Sequence, residues 1–305
     1  MSRIGVTKLK GFPMKKCMFV FFLLGFISLH AESIIVEGAK PVAVSQEFKF
    51  TEGPAVDKDG NVYFTDQPNN RIMLWKTDGS ISTFMQPANR SNGLFFDHDG
   101  TLIACADENN EMWRINVKDK SHQVIINNYQ GKRLNAPNDC WVDAKGGIYF
   151  SDPFYKRKWW KHNKSEQDAE AVYYLPKGAK DIIRVADGFK RPNGLVSDGK
   201  TMYIADIGDK KTYAYDIAED GSLKNKRLFC SMGSDGMTLD EKGNLYITGR
   251  GVHVFDKNGK KIQHIDIKGW NANVCFGGKD MKTLFITATK SLYTLKMNVK
   301  GIRVK

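Results

Sequence analysis

Glu52, Asn138, Asn193 and Asp235 are the residues of this 305-residue chain whose types and settings best fit chemistry. They lie in TEGPAVD, LNAPNDCWVD, KRPNGLVSD and GSDGMTLD, each just ahead of an apolar, strand-like run. Two carboxylates and two amide carbonyl oxygens at one point make an all-oxygen set with two negative charges. Hard divalent cations take such donors: Ca2+ first, with Mg2+, Mn2+ and Zn2+ as alternatives. A cation held there can polarise an ester-type carbonyl and orient a water. Other chemistries find less support. His98, His122, His162, His253 and His264 show no ligand spacing, and no GxSxG string marks a serine nucleophile. EGP, PNG and SDG are also turn-forming strings, so one motif alone reads equally well as backbone punctuation. What sets the four apart is a shared place in a repeat.

That repeat must position them. From Val56 onward one pattern returns about every forty to fifty residues, the range of propeller blades. Its copies are VDKDGNVYFTD, FDHDGTLIACAD, VDAKGGIYFSD, VSDGKTMYIAD, LDEKGNLYITG and FGGKDMKTLFITA. The DG, KGG and KGN centres supply positive-φ residues for tight hairpins. The runs that follow are rich in Tyr, Phe, Ile and Val, as strands buried between neighbouring sheets should be. A second strand follows each, from IMLWKTDG to SLYTLKM. Helical periodicity is nearly absent. The expectation is an all-β, six-bladed β-propeller with a metal site in its central channel, closed by a strand from Ile34–Lys49. A sandwich or an open solenoid fits the period less well. In a propeller the innermost strands border the channel, so equivalent positions from different blades converge near the axis.

Other residues follow from the same placement. Asn92, in RSNGLFFD, occupies the matching position of the second repeat and is a candidate to bind substrate hydroxyls. Arg133 and Asn135 precede the Asn138 motif on a loop and are candidates for a polar substrate. Asp152 ends an inner strand, as a supporting group or a turn residue. KRKWWKHNK, residues 156–164, is the longest insertion. It reads as a solvated surface loop or as a basic, aromatic lid favouring an anionic or sugar-like substrate.

Lys8, Lys10, Lys15 and Lys16 precede an apolar run from Met18 to Leu29, which ends in Leu29-His30-Ala31. This reads as a Sec signal peptide over 1–31, with Met14 as a second candidate start, and one domain over 32–305. The run is short for a membrane span, so no stable membrane insertion is expected after cleavage. The export route implies a periplasmic or secreted protein. The formal charge of +12 falls to about +7 without the five Lys and Arg of that segment. The remaining lysines are scattered, which excludes a nucleic-acid face. Cys105, Cys140, Cys230 and Cys275 show no CxxC spacing and read as buried thiols, with one disulfide open.

The motifs as a set, FTEGPAVDKDGNVYFTD, GKRLNAPNDCWVDAKGGIYFSDPFY, RPNGLVSD, SDGMTLDEKGNLYITG and FGGKDMKTLFITA, resemble the regucalcin (senescence marker protein) and gluconolactonase family. GKRLNAPND and SDPFY place the resemblance on its bacterial gluconolactonase branch. It implies a six-bladed propeller with a catalytic divalent metal held by Glu52, Asn138, Asn193 and Asp235, and a proton-transfer role for Asp235. The implied function is a metal-dependent lactonase opening a small, sugar-type lactone. A phosphotriesterase on the same ion, or a binding scaffold with a structural ion, are the alternatives.

Overall fold

In the computed structural model the chain divides into two units, residues 1–32 and 33–305. The described residues are 33–303, together with Met1, Gly5, Thr7 and Gly11, which are exposed. The signal-peptide reading falls almost wholly outside them. No helix among the described residues is long and apolar enough to cross a membrane.

The second unit is all-β. Four antiparallel four-stranded sheets follow one another along the chain, the first running from Thr51–Val56 to Ile81–Met85 and the fourth from Pro192–Ser197 to Leu223–Cys230. A six-stranded run completes the set. In it the 17-residue strand Lys261–Gly277 changes partner midway. Its first part pairs with Leu245–Phe255, and Asn271 to Gly277 pair with Thr283–Ala288. At its far end Val42–Ser45 pairs antiparallel with Ser291–Lys296, tying the start of the unit to its end.

The first strands of the sheets touch in sequence. Thr51–Val56 meets Leu94–Phe96, which meets Cys140–Val142, then Pro192–Ser197, Met237–Leu239 and Lys261–Gly277, which returns to Thr51–Val56. This closed ring of inner strands defines a propeller-like fold, with each sheet stacked on the next. The packing explains the sequence: every sheet must bury both faces. Tyr63, Phe84, Leu94 and Trp113 fill the space between the first two sheets, and Ile103, Cys140, Phe150 and Tyr173 fill the next. Phe64, Phe285 and Leu292 seal the last sheet to the first. Burying one such side chain stabilises by about 2 kcal/mol. The four cysteines are buried free thiols.

A carboxylate repeat fixes how the chain enters the inner strands. Asp66 accepts the backbone N–H groups of Lys49 and Phe50, Asp152 those of Asn135 and Ala136, and Asp206 those of Lys190 and Arg191. Each ends the second strand of its sheet and pins the segment leading into the first. In the second sheet Ala106 takes that place, and the acid is displaced by one residue, to Asp107.

The ring has two unlike ends. The inner strands start at a polar end, where Glu52, Asn138, Asn193 and Asp235 lie. At the opposite end is a cavity of about 270 Å3 lined by Val56, Phe96, Val142, Phe276 and Ile302. Arg303 caps it by donating to the carbonyls of Asp57 and Lys58.

Candidate active site

Glu52 and Asn193 are the second residues of inner strands, and Asn138 and Asp235 each stand two residues before one. Glu52 and Asp235, from different sheets, are close enough to act on each other electrostatically. Glu52 is buried, and its Oε2 accepts only the N–H of Gly53, at 3.1 Å. Burial, then the charge of Asp235, push its carboxyl well above the usual range. Asp235 Oδ2 accepts the indole N–H of Trp270 at 2.6 Å. Burial raises its pKa to about 6, against the opposing hydrogen bonds of Trp270 and Asn193 and the charge of Arg157.

The amides are disposed to present oxygen. Asn193 donates to the Tyr155 hydroxyl at 2.9 Å and also to Asp235. Both N–H bonds are thereby used and its carbonyl oxygen is left over. The side chains of Asn138 and Asn92 are only 5% and 3% exposed, and neither makes a hydrogen bond to a described residue. Their amide atoms are not sealed off, so they are open to a ligand. Asp235 raises the pKa of Glu52, and carboxylates with amide oxygens are donors of the kind a hard divalent cation takes.

Two polar residues escaped the motif reading. Asp139 and Asn273 occupy positions that are glycine in other repeats, and they hydrogen-bond to each other across the ring. The glycines make room for them. A Cβ on Gly93 would lie 2.6 Å from the Asn138 carbonyl and 2.7 Å from Asp139 Oδ1, and one on Gly236 would sit 1.9 Å from the Asn273 amide. Asp139 is pushed up to about 7 by burial, opposed by the Cys140 N–H and Asn273. The signal was present in the sequence: PND stands where TEG, SNG, PNG and SDG stand elsewhere.

The insertion is fastened on one side while its lysines stay exposed. Arg157 Nε and Trp159 Nε1 each donate to the displaced carboxylate of Asp107 at 2.9 Å, and Trp160 Nε1 donates to its carbonyl at 2.9 Å. Asp107 is 1% exposed. The segment is thus fastened beside the site, where Tyr155 reaches Asn193. Asn135 is buried. Its amide donates to the carbonyls of Asp152 and Ala169 and accepts from Ser165, so each of its side-chain polar atoms is engaged within the protein. Arg133 pairs with Glu166 at 2.9 Å and donates to the Lys164 carbonyl, at the other end of the insertion.

The fold is a propeller-like all-β body with acid and amide groups gathered where its inner strands begin. The chain belongs to the SMP-30/gluconolactonase/LRE-like family, whose profile matches residues 50–290. It is 26% identical to a gluconolactonase of Zymomonas mobilis, over 88% of this chain and 84% of that protein. It is 29% identical to a regucalcin of Danio rerio, over 76% and 80% of the two chains. A solved gluconolactonase from Xanthomonas campestris superposes with a TM-score of 0.81 at 29% identity, covering 87% of this chain and 91% of the other.

Proposed function

We propose that this protein is an exported, six-bladed lactonase that uses one divalent cation, Ca2+ first and Mg2+, Mn2+ or Zn2+ otherwise, to open a small sugar-type lactone. The observation that carries the reading is the donor set: Glu52 and Asp235 beside the unpartnered oxygens of Asn138 and Asn193. The blade number is supported by the ring of inner strands and by the partner change within Lys261–Gly277. Export is supported by the basic and apolar pattern of residues 1–31. The lactone is supported by the names of the relatives.

The bound cation would polarise the lactone carbonyl and hold a water against it. The chain's own residues supply the rest. Trp270 and Asn193 fix the carboxylate of Asp235, whose free electron pair takes the proton of the attacking water. Water oxygen bonds to the carbonyl carbon, the ring C–O bond breaks, and the proton passes to the ring oxygen. Asn92, unpartnered at the same level, is placed for a substrate hydroxyl. Arg133 and Asn135 act by holding the insertion in place.

The test is hydrolysis of D-glucono-1,5-lactone, followed by acid release. Turnover should be abolished by EDTA and restored by Ca2+. No turnover on any sugar lactone, with the ion bound at full occupancy, would reject the enzyme in favour of a binding scaffold.

A further inference from the structure

The insertion that fastens onto Asp107 builds an ordered stack of guanidinium and aromatic groups beside the site. Arg90 lies over Trp159 at 4.8 Å. Arg157 lies over Trp159 at 5.5 Å and over Tyr155 at 5.1 Å. Arg191 lies over the other neighbour, Tyr155, at 4.9 Å. The order is therefore Arg90, Trp159, Arg157, Tyr155, Arg191, and Tyr155 is hydrogen-bonded to Asn193 of the site.

The three arginines are not equivalent. Arg90 is engaged by Glu108 and by the Pro68 carbonyl. Arg157 gives only its Nε, to Asp107, and its terminal nitrogens donate to no described residue. Its side chain is 20% exposed. Arg191 is 44% exposed, and its nearest carboxylate, Glu170, stands at 3.9 Å. A guanidinium fixed by its Nε, lying over two aromatic rings and open at its two terminal nitrogens is preorganised for an oxyanion, which it binds through two parallel hydrogen bonds. The charge of Arg157 acts on Glu52 and Asp235, so the guanidinium lies near the site acids. Lys156, Lys158, Lys161 and Lys164 on the same insertion add positive charge for steering.

We propose that this rim, with Arg157 at its centre, selects lactones that carry a second, negatively charged group, a carboxylate or a phosphate, on the part of the sugar remote from the lactone carbonyl. The proposal rests on the lactonase reading above. Tyr155 and Trp159 hold the guanidinium in place, and Arg157 takes the anion.

Two matched pairs of substrates test it. D-Glucaro-1,4-lactone differs from D-glucono-1,4-lactone in bearing a carboxylate, and 6-phospho-D-glucono-1,5-lactone differs from D-glucono-1,5-lactone in bearing a phosphate. In at least one pair the anionic member should have the higher kcat/KM, by about 10-fold or more, the range of a charge-assisted pair. Which pair responds identifies the anion. Arg157→Gln should cut that ratio about 10-fold, mainly through KM, and Arg191→Gln a few-fold. Thermal melting of each variant checks folding, and the exposed Arg191 serves as the second probe where Arg157→Gln fails to fold. A ratio of one or less in both pairs, or an equal loss on charged and neutral members in the variants, overturns the proposal. Binding of D-glucarate to the EDTA-treated protein, read by tryptophan fluorescence, is independent of turnover. If all four lactones are inert, the lactonase reading falls. The rim then stands if D-glucarate binds in an Arg157-dependent manner and falls with it if it does not.

Discussion

Two sets of buried carboxylates stand in this molecule, and they differ in what satisfies them. Asp66, Asp152 and Asp206 each accept two successive backbone N–H groups from the segment that enters their own sheet. Glu52, Asp139 and Asp235 lie where the inner strands begin and repel one another; Glu52 accepts one N–H, Asp235 is held by side chains, and Asp139 accepts the N–H groups of Cys140 and Leu195, neither from the segment entering its own sheet. The first set is complete without a ligand. The second accumulates negative charge that the protein does not neutralise. An acid whose lone pairs go to the backbone fixes the fold, and one left facing other acids is available for chemistry.

Removing a member of each set should therefore give opposite results. Asp235→Asn is expected to lower kcat by about 100-fold or more, the usual contribution of a positioned base. The metal-free melting temperature should hold or rise, because a buried like-charge repulsion is relieved. Retained turnover would remove Asp235 from the mechanism, whereas lost turnover with Ca2+ still bound would assign it the base role.

Asp152→Ala should do the reverse. The N–H groups of Asn135 and Ala136 would be left buried without acceptors, at a combined cost of about 3 kcal/mol. Thermal melting should fall by roughly 6 °C or more, with activity per folded molecule largely kept. Unchanged melting would show that these N–H groups find other acceptors and that the two sets are not distinct.

Titration separates the sets more finely. Asp235 is raised to about 6 and Asp139 and Asp152 to about 7, burial being the leading cause in each. A carboxyl raised in the folded state stays protonated there after its unfolded counterpart has ionised. Each thus contributes stability that is present below about pH 4 and is lost as pH rises to its folded value. The metal-free melting temperature should fall between about pH 4 and pH 7. Saturating Ca2+ should flatten the share from Asp235 and leave that from Asp152. A slope that Ca2+ abolishes entirely would place all of the titration in the site.

Much of this was legible beforehand, and the reason is local. The glycine-centred turns and the tyrosine- and phenylalanine-rich runs encode each sheet within about a dozen residues, so the repeat could be read directly. Glu52, Asn138, Asn193 and Asp235 were legible because they share one place in it. Asp139 and Asn273 were hidden because their role appears only across the ring, in space that Gly93 and Gly236 leave open. Trp270 meets Asp235 from 35 residues away, and Arg157 meets Asp107 from 50. Neither pairing has a spacing signature. The two readings of the insertion, surface loop or lid, could not be separated because the acid that fastens KRKWWKHNK lies in another sheet.

Asp107 belongs to neither set, and that makes it the finest test of the comparison. It descends from the structural repeat, displaced one residue past Ala106, yet its oxygens accept from Arg157 and Trp159 instead of from backbone. Asp107→Asn keeps one acceptor, enough for Trp159, and turns an amide N–H toward the Arg157 Nε–H. The insertion should stay folded over Trp160, whose bond goes to the main-chain carbonyl, while Arg157 loses its fixed direction. The expected result is a rise in KM of about 3- to 10-fold with a smaller change in kcat, the mark of lost uniform binding. Melting should drop by less than for Asp152→Ala. An equal fall in kcat and kcat/KM would mean that Asp107 acts on the transition state through Arg157, and the insertion would then belong with the site acids.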